Sequence, residues 1–175
     1  MSLAGNVMID LETTGVTPGC CILSIGACTF DLREEFYSTI SLSNSHTRGL
    51  FDDPDTIAWW SKQSEKARKE AFSGTKDLLV VLGEFQTWFN RLDGKDKKVW
   101  GNGADFDLPI LAFAYRLAGI KLPWKPFNGR CYRTLKNLYK SVEGPKFSLD
   151  KHDALVDAKI QAEHASRILS IHYSD

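Results

Sequence analysis

Three short stretches of this chain carry acidic side chains in an order and spacing that suit one metal site. They are Asp10-Leu11-Glu12, Asn102-Gly103-Ala104-Asp105-Phe106-Asp107, and His152-Asp153-Ala154-Leu155-Val156-Asp157. In a strand, residues i and i+2 share a face, so Asp10 and Glu12 point the same way, about 7 Å apart. Val7, Ile9 and Leu11 then point to the other side. Two carboxylates on one face repel unless a cation sits between them, and an oxygen-only donor set favours a hard divalent ion. An isolated Asp-x-Glu is most often a solvated strand edge. Here the preceding Val7-Met8-Ile9 is apolar, so the strand reads as central, where carboxylates are costly unless paired or metal-bound. His152 brings a group whose ordinary pKa, near 6.5, lets it take a proton from water at neutral pH. Read alone, it is an ordinary histidine at a helix entry.

The middle stretch follows a short strand and opens a helix. Asp105 and Asp107 are expected in its first turn, where the helix dipole favours negative charge. Pro109 also suits a first turn. One of the two aspartates reads as a simple cap. Asn102 can both donate and accept, as a terminal nucleotide requires. In the last stretch Asp157 has Ala154, Ala158, Gln161 and Ala162 at helical spacing. That small-residue face leaves room for ions and a phosphate.

The elements that must position these residues follow from periodicity. Asn6 to Leu11, Cys21 to Phe30 and Phe36 to Leu42 read as three strands at short spacing, an antiparallel meander. Asp53-Pro54 starts a short helix with Ile57, Trp59 and Trp60, and Ser64-Glu65 opens another. Leu78, Leu82, Phe85, Trp88 and Phe89 give Asp77 to Leu92 a helical period. A fourth strand is expected over Lys98 to Trp100, then helices over Leu108 to Leu117, Arg133 to Val142 and His152 to Ile171. Gly119 is a plausible C-terminal stop. Gly144-Pro145 and Pro123-Trp124-Lys125-Pro126 mark loops. Strands mixed with helices in this order make an α/β or α+β layered domain.

With 175 residues, 43% of them hydrophobic, the chain can bury a core as one domain spanning 1–175. Its 22 basic and 22 acidic residues exclude the strongly basic balance of a nucleic-acid-coating protein. No apolar run approaches the roughly 20 residues of a membrane span, and no secretory leader is evident. Cys20-Cys21 fits no common zinc spacing. Cys20, Cys21, Cys28 and Cys131 therefore read as reduced thiols, and the compartment as cytoplasmic.

These segments resemble the three exonuclease motifs of the DEDDh branch of 3′–5′ exonucleases, which have a ribonuclease H-like fold. Met8 through Gly15 looks like the first motif, Asn102 through Asp107 the second, and His152-x-Ala154-x-x-Asp157 the third. Thr56-Ile57-Ala58-Trp59-Trp60, Val99 through Gly103 and Pro123-Trp124 resemble one subgroup. It comprises prophage exodeoxyribonuclease VIII-like proteins, phage exonuclease A and a mycobacterial exoribonuclease. The resemblance implies a mixed sheet, a three-strand antiparallel meander plus parallel strands, flanked by helices. It implies Asp10, Glu12, Asp107 and Asp157 as ligands of two divalent ions, Mg²⁺ or Mn²⁺, and His152 as general base. Asp105 and Asp153 are not ligands in this alignment. Thr13, Asn102 and Phe106 are the expected substrate contacts. The expected partner is the 3′ end of single-stranded nucleic acid, DNA slightly ahead of RNA, with a nucleoside 5′-monophosphate released. Several relatives are homodimers, so a homodimer is one possible assembly, and the sequence does not set the oligomeric state.

Trp59 and Trp60 either stack bases or belong to the core, and the sequence leaves this open. Trp88, Trp100 and Trp124 read as packing. Lys125, Arg130, Arg133, Lys136 and Lys140 form a basic stretch that could guide phosphates, although such stretches are more often solvated faces. Two other readings exist. His152-Asp153 is an HD pair, but HD phosphohydrolases are all-helical and need another histidine, and His46 sits in a polar Ser/Asn loop. A catalytically inactive nucleic-acid-binding domain of the same fold is the other, and the complete acidic set argues against it.

Overall fold

The computed structural model describes residue 3, residues 5–145 and residues 153–172. A five-stranded sheet runs in the order β3-β2-β1-β4-β5. Its strands are β1 (Asn6–Thr13), β2 (Ile22–Thr29), β3 (Glu35–Thr39), β4 (Lys98–Gly101) and β5 (Gly129–Cys131). The first three pair antiparallel, while β1–β4 and β4–β5 pair parallel. This is the mixed sheet the sequence leads one to expect.

β1 is buried along its whole length because both faces are covered. On one face Val7, Ile9 and Leu11 meet α4 (Leu78–Arg91) and α5 (Asp107–Leu117), through residues such as Leu82, Phe85, Phe89 and Leu111. The Tyr115 hydroxyl ties these helices together by donating to Leu82 O at 2.8 Å. On the other face Met8 and Cys28 pack with Trp100 and Tyr132 against Ala158, Ala162, Ala165 and Leu169 of α7 (Ala154–His172). An alanine stripe lets a helix lie close on a sheet, which is what brings α7 to the carboxylate face of β1.

Helix starts follow the expected caps. Asp53 caps α2 (Pro54–Ser61), Ser64 caps α3 (Glu65–Ala71) and Asp77 caps α4. Gly119, at φ 67°, takes the left-handed conformation past α5. Four expectations need correction. Leu42 is not in β3: Ser41 turns the chain and caps α1 (Leu42–Thr47), so His46 lies on a short helix, not in a loop. Asp105 is not in a helical turn, because α5 begins at Asp107 and Asp105 is exposed. α6 (Tyr132–Leu138) stops well before Val142. There His164 Nε2, from α7, donates to Val142 O at 2.8 Å and draws the chain out of the helix. The three-residue β5 went unread, being too short to show a period. The expected start of the last helix at His152 lies outside the described residues, as does His152 itself.

Candidate active site

Asp10 and Glu12 share the Met8 face of β1, the face that α7 crosses. The close approach of α7 depends on Gly26, which pairs with Asp10 across the β1–β2 ladder. A Cβ there would stand 2.1 Å from the Ala154 carbonyl carbon and 2.2 Å from Leu155 N. With only hydrogen at this position, the first turn of α7 rests on the sheet. Asp153 Oδ1 accepts from Leu155 N at 2.9 Å and Val156 N at 3.0 Å, capping that turn. From the same turn, Asp157 meets the strand carboxylates. Asp10, Glu12 and Asp157 each offer an oxygen within 4.8 Å of the other two, a grouping that can hold a metal ion. In the next turn the Gln161 amide donates to Asp10 Oδ1 at 2.7 Å and fixes that carboxylate.

Asp107 reaches the same region from the start of α5. Its Oδ1 accepts from Leu11 N at 3.1 Å and its Oδ2 from Asn102 N at 2.7 Å. It is fully buried, and Gly101 leaves the space for it: a Cβ there would lie 3.0 Å from Oδ2. Asp107 stands outside the three-oxygen group but close enough for its charge to be felt by Asp10 and Glu12.

The electrostatics follow from burial of like charges. Burial, then the charges of Asp107, Glu12 and Asp157, raise the Asp10 carboxyl well above its ordinary range. Burial, then Asp157, Asp153 and Asp107, push Glu12 to about 8. Asp107 rises less, to about 6, because the two amide bonds and the Arg133 charge offset its burial. Such a cluster favours protonation or a cation.

The carboxylates open onto a cleft of about 520 Å³, also lined by Thr13, Trp59, Trp60 and Phe106. The two tryptophans divide their roles. Trp60 is 2% exposed, donates from Nε1 to Thr13 O at 2.8 Å and packs edge-on against Phe72. It is core. Trp59 is 41% exposed and meets Trp60 edge-to-face at 5.0 Å. Trp88, Trp100 and Trp124 are buried packing residues.

Of the expected substrate contacts, Phe106 and Thr13 line the cleft, but the Thr13 hydroxyl donates to Gly15 O at 2.6 Å. Asn102 is occupied through its backbone, with its N–H on Asp107 and its carbonyl accepting from Arg133 Nη2 at 2.7 Å. Its Oδ1 is buried and has no hydrogen-bond partner among the described residues. Arg133 thus clamps the loop, whereas Lys125 and Lys136 lie over the Phe127 and Tyr132 rings. Gly26 is the functional residue that sequence reasoning missed. Its only signal was a glycine inside an apolar strand, which marks close backbone approach. His46 lies with Asp52 and Cys21 rather than with the acidic cluster, so the HD reading has no support in this mixed sheet.

A family model described as the 3′–5′ exoribonuclease Rv2179c-like domain matches residues 5–169. The chain belongs to that family. It is 28% identical over 120 residues to the exodeoxyribonuclease of Enterobacteria phage T4, an alignment covering 59% of this chain and 52% of that protein. The chain therefore spans about half the length of that curated relative. The fold is similar to the crystallographic structure of the nuclease domain of 3′hExo, a DEDDh family member, bound to rAMP. The TM-score is 0.60 at 14% identity, over 95% of this chain and 92% of that one.

Proposed function

We propose that this chain is a DEDDh-type 3′–5′ exonuclease, which shortens single-stranded nucleic acid from its 3′ end, DNA ahead of RNA, and releases nucleoside 5′-monophosphates. The observation that carries this reading is the convergence of three carboxylates from β1 and α7, two of them lining an aromatic-walled cleft. Asp10, Glu12 and Asp157, joined by Asp107, would hold two divalent ions, Mg²⁺ or Mn²⁺. The donor set fits, being all oxygen and short of positive charge. Ions in such a pair supply Lewis-acid stabilisation of charge developing on the phosphodiester.

The chain's own groups do the rest. His152, one residue before the Asp153 cap of α7, is assigned the proton of the attacking water. Gln161 keeps Asp10 turned toward its neighbours. Trp59 and Phe106 offer faces to the last bases. The phage relative's name supports DNA and the family's description supports RNA, so both belong in one assay.

The deciding experiment incubates the protein and Mg²⁺ or Mn²⁺ with 3′-labelled single-stranded DNA and matching RNA. Mononucleotides are expected from a free 3′-OH end, faster from DNA, with a 3′-phosphate end resisting. Shortening from the 5′ end, or cuts in circular single strands, overturns the polarity. A second expected result separates the tryptophans. Trp59→Ala raises KM for single strands by about tenfold with kcat little changed, since stacking contributes roughly 1–3 kcal/mol per base. Trp60→Ala acts mainly on stability, lowering it by about 3–5 kcal/mol. Steady-state kinetics and thermal melts of the pair check this.

A further inference from the structure

A second convergence of ligand-type side chains lies on the far side of the turn that follows β1. Cys20 and Phe51 form an isolated parallel bridge. Cys21 N donates to Phe51 O at 2.9 Å, Thr14 N to Cys21 O at 2.9 Å, and Asp53 N to Thr14 O at 2.8 Å. These bonds lock the segment around Asp52 against the start of β2. α1 adds His46, whose Nε2 lies 2.9 Å from Asp52 Oδ2. The result is a sulfur, a ring nitrogen and a carboxylate oxygen, from Cys21, His46 and Asp52, all within 4.8 Å of one another.

Packing alone accounts for parts of this group but not the whole. A half-exposed histidine–aspartate pair is an ordinary surface ion pair of small worth. A buried cysteine is an ordinary core residue. What neither explains is Asp52 Oδ1, which is buried and has no well-formed hydrogen bond among the described residues, the Thr14 and Cys21 side chains standing beside the carboxylate. A buried acceptor without a partner is costly, and a cation between it and the thiol would satisfy it.

We propose that Cys21, His46 and Asp52 form a zinc site separate from the carboxylate cluster. Mixed S, N and O donors suit Zn²⁺, whereas Mg²⁺ prefers oxygen alone. Ligand atoms on a tetrahedral zinc stand about 3.5 Å apart, so no pair need close by more than about 1.3 Å, while the His46–Asp52 contact at 2.9 Å opens slightly. Three protein ligands leave a fourth position, and the exposed side of His46 gives solvent access to it. Burial, then the adjacent Asp52 carboxylate, push the Cys21 thiol up to about 12. It is therefore a thiol until the ion arrives, and binding releases that proton to solvent as the S–Zn bond forms. The His46 ring binds through the Nε2 lone pair and carries its proton on Nδ1.

The ion would join the start of β2, α1 and residue 52. The next residue, Asp53, caps α2 by accepting from Asp55 N at 2.9 Å, and α2 carries Trp59. Zinc here braces one wall of the cleft without touching the carboxylates.

Cobalt(II) tests this, as a coloured stand-in for zinc. The full chain is titrated with Co²⁺ in a large excess of Mg²⁺. A thiolate-to-cobalt charge-transfer band is expected at one equivalent, erased by one equivalent of Zn²⁺. It is retained in Asp10→Asn and in Cys131→Ser, and lost in Cys21→Ser. His46→Ala, at a half-exposed position that leaves the fold intact, weakens Co²⁺ affinity by about 10-fold or more, since even residues behind a ligand cost that much. Zn²⁺ raises the Tm of the Mg²⁺-saturated wild type but not of His46→Ala. Absence of the thiolate band overturns the site, as does a band unchanged in His46→Ala or one lost in Asp10→Asn.

Discussion

Asp10→Asn abolishes hydrolysis and, in EDTA, raises the melting temperature. Both follow from one arrangement. Asp10 is buried beside Glu12, Asp107 and Asp157, and their mutual repulsion with burial lifts its carboxyl well above the ordinary range. Asparagine keeps the shape and can still accept from Gln161, but it removes a charge that only a cation could balance. Relief of repulsion and desolvation is worth about 1–3 kcal/mol, or about 2–4 °C per kcal/mol for a chain of this size. The same groups set a pH dependence. Native carboxyls with raised pKa hold protons more tightly than unfolded ones. The stability this gives is complete below the unfolded pKa and is lost as pH rises through the native value. In EDTA the Tm should fall from about pH 5 to about pH 9, as Asp107, near 6, and then Glu12, near 8, lose their protons. Asp31, Asp52, Asp77 and Asp96 have lowered pKa values, so their contributions vary only in more acid solution. Saturating Mg²⁺ or Mn²⁺ should flatten the curve. Activity within a few-fold of wild type in Asp10→Asn, or an EDTA melting curve that climbs with pH, overturns the assignment.

Gly26→Val should remove nearly all activity although Gly26 carries no functional group. Even the first carbon of a side chain would lie 2.1 Å from the Ala154 backbone, so the first turn of α7 must lift. That turn carries Asp157, and Asp10 and Glu12 would then lack their partner from α7. The expected signature is loss of the high-affinity Mn²⁺ site by calorimetry, with a folded sheet by circular dichroism. Overpacking costs about 1–3 kcal/mol, so the variant is less stable but still folded. Gly83→Val is the control, since a side chain there would enter open space. If Gly26→Val binds Mn²⁺ as wild type does, the close helix–sheet contact does not build the site.

Much of this was legible in the residues. The apolar run with acids at alternate positions marked β1, and the caps at Asp53, Ser64 and Asp77 marked three helix starts. The acidic cluster could be expected because strand alternation and helical spacing fix where Asp10, Glu12 and Asp157 point. The role of Gly26 was hidden because it depends on a helix more than a hundred positions away. Trp59 and Trp60 could not be told apart either. They are adjacent, and only the contact of Trp60 with Thr13 O separates core from cleft. Residue chemistry alone left Asp105 and Asp107 alike; the motif resemblance chose Asp107, and the amides of Leu11 and Asn102 hold it in place.

The distance along the chain between the two halves of the acidic cluster has a consequence for synthesis. Asp10 and Glu12 leave the ribosome well before Asp157 and Gln161, which belong to α7, the last described element. Closing contacts over such a separation is slow, because the loop entropy must be met before any contact rewards it. A nascent or truncated chain lacking α7 therefore has its first two acids and no cluster. The acidic cluster is complete only once α7 has docked on the sheet.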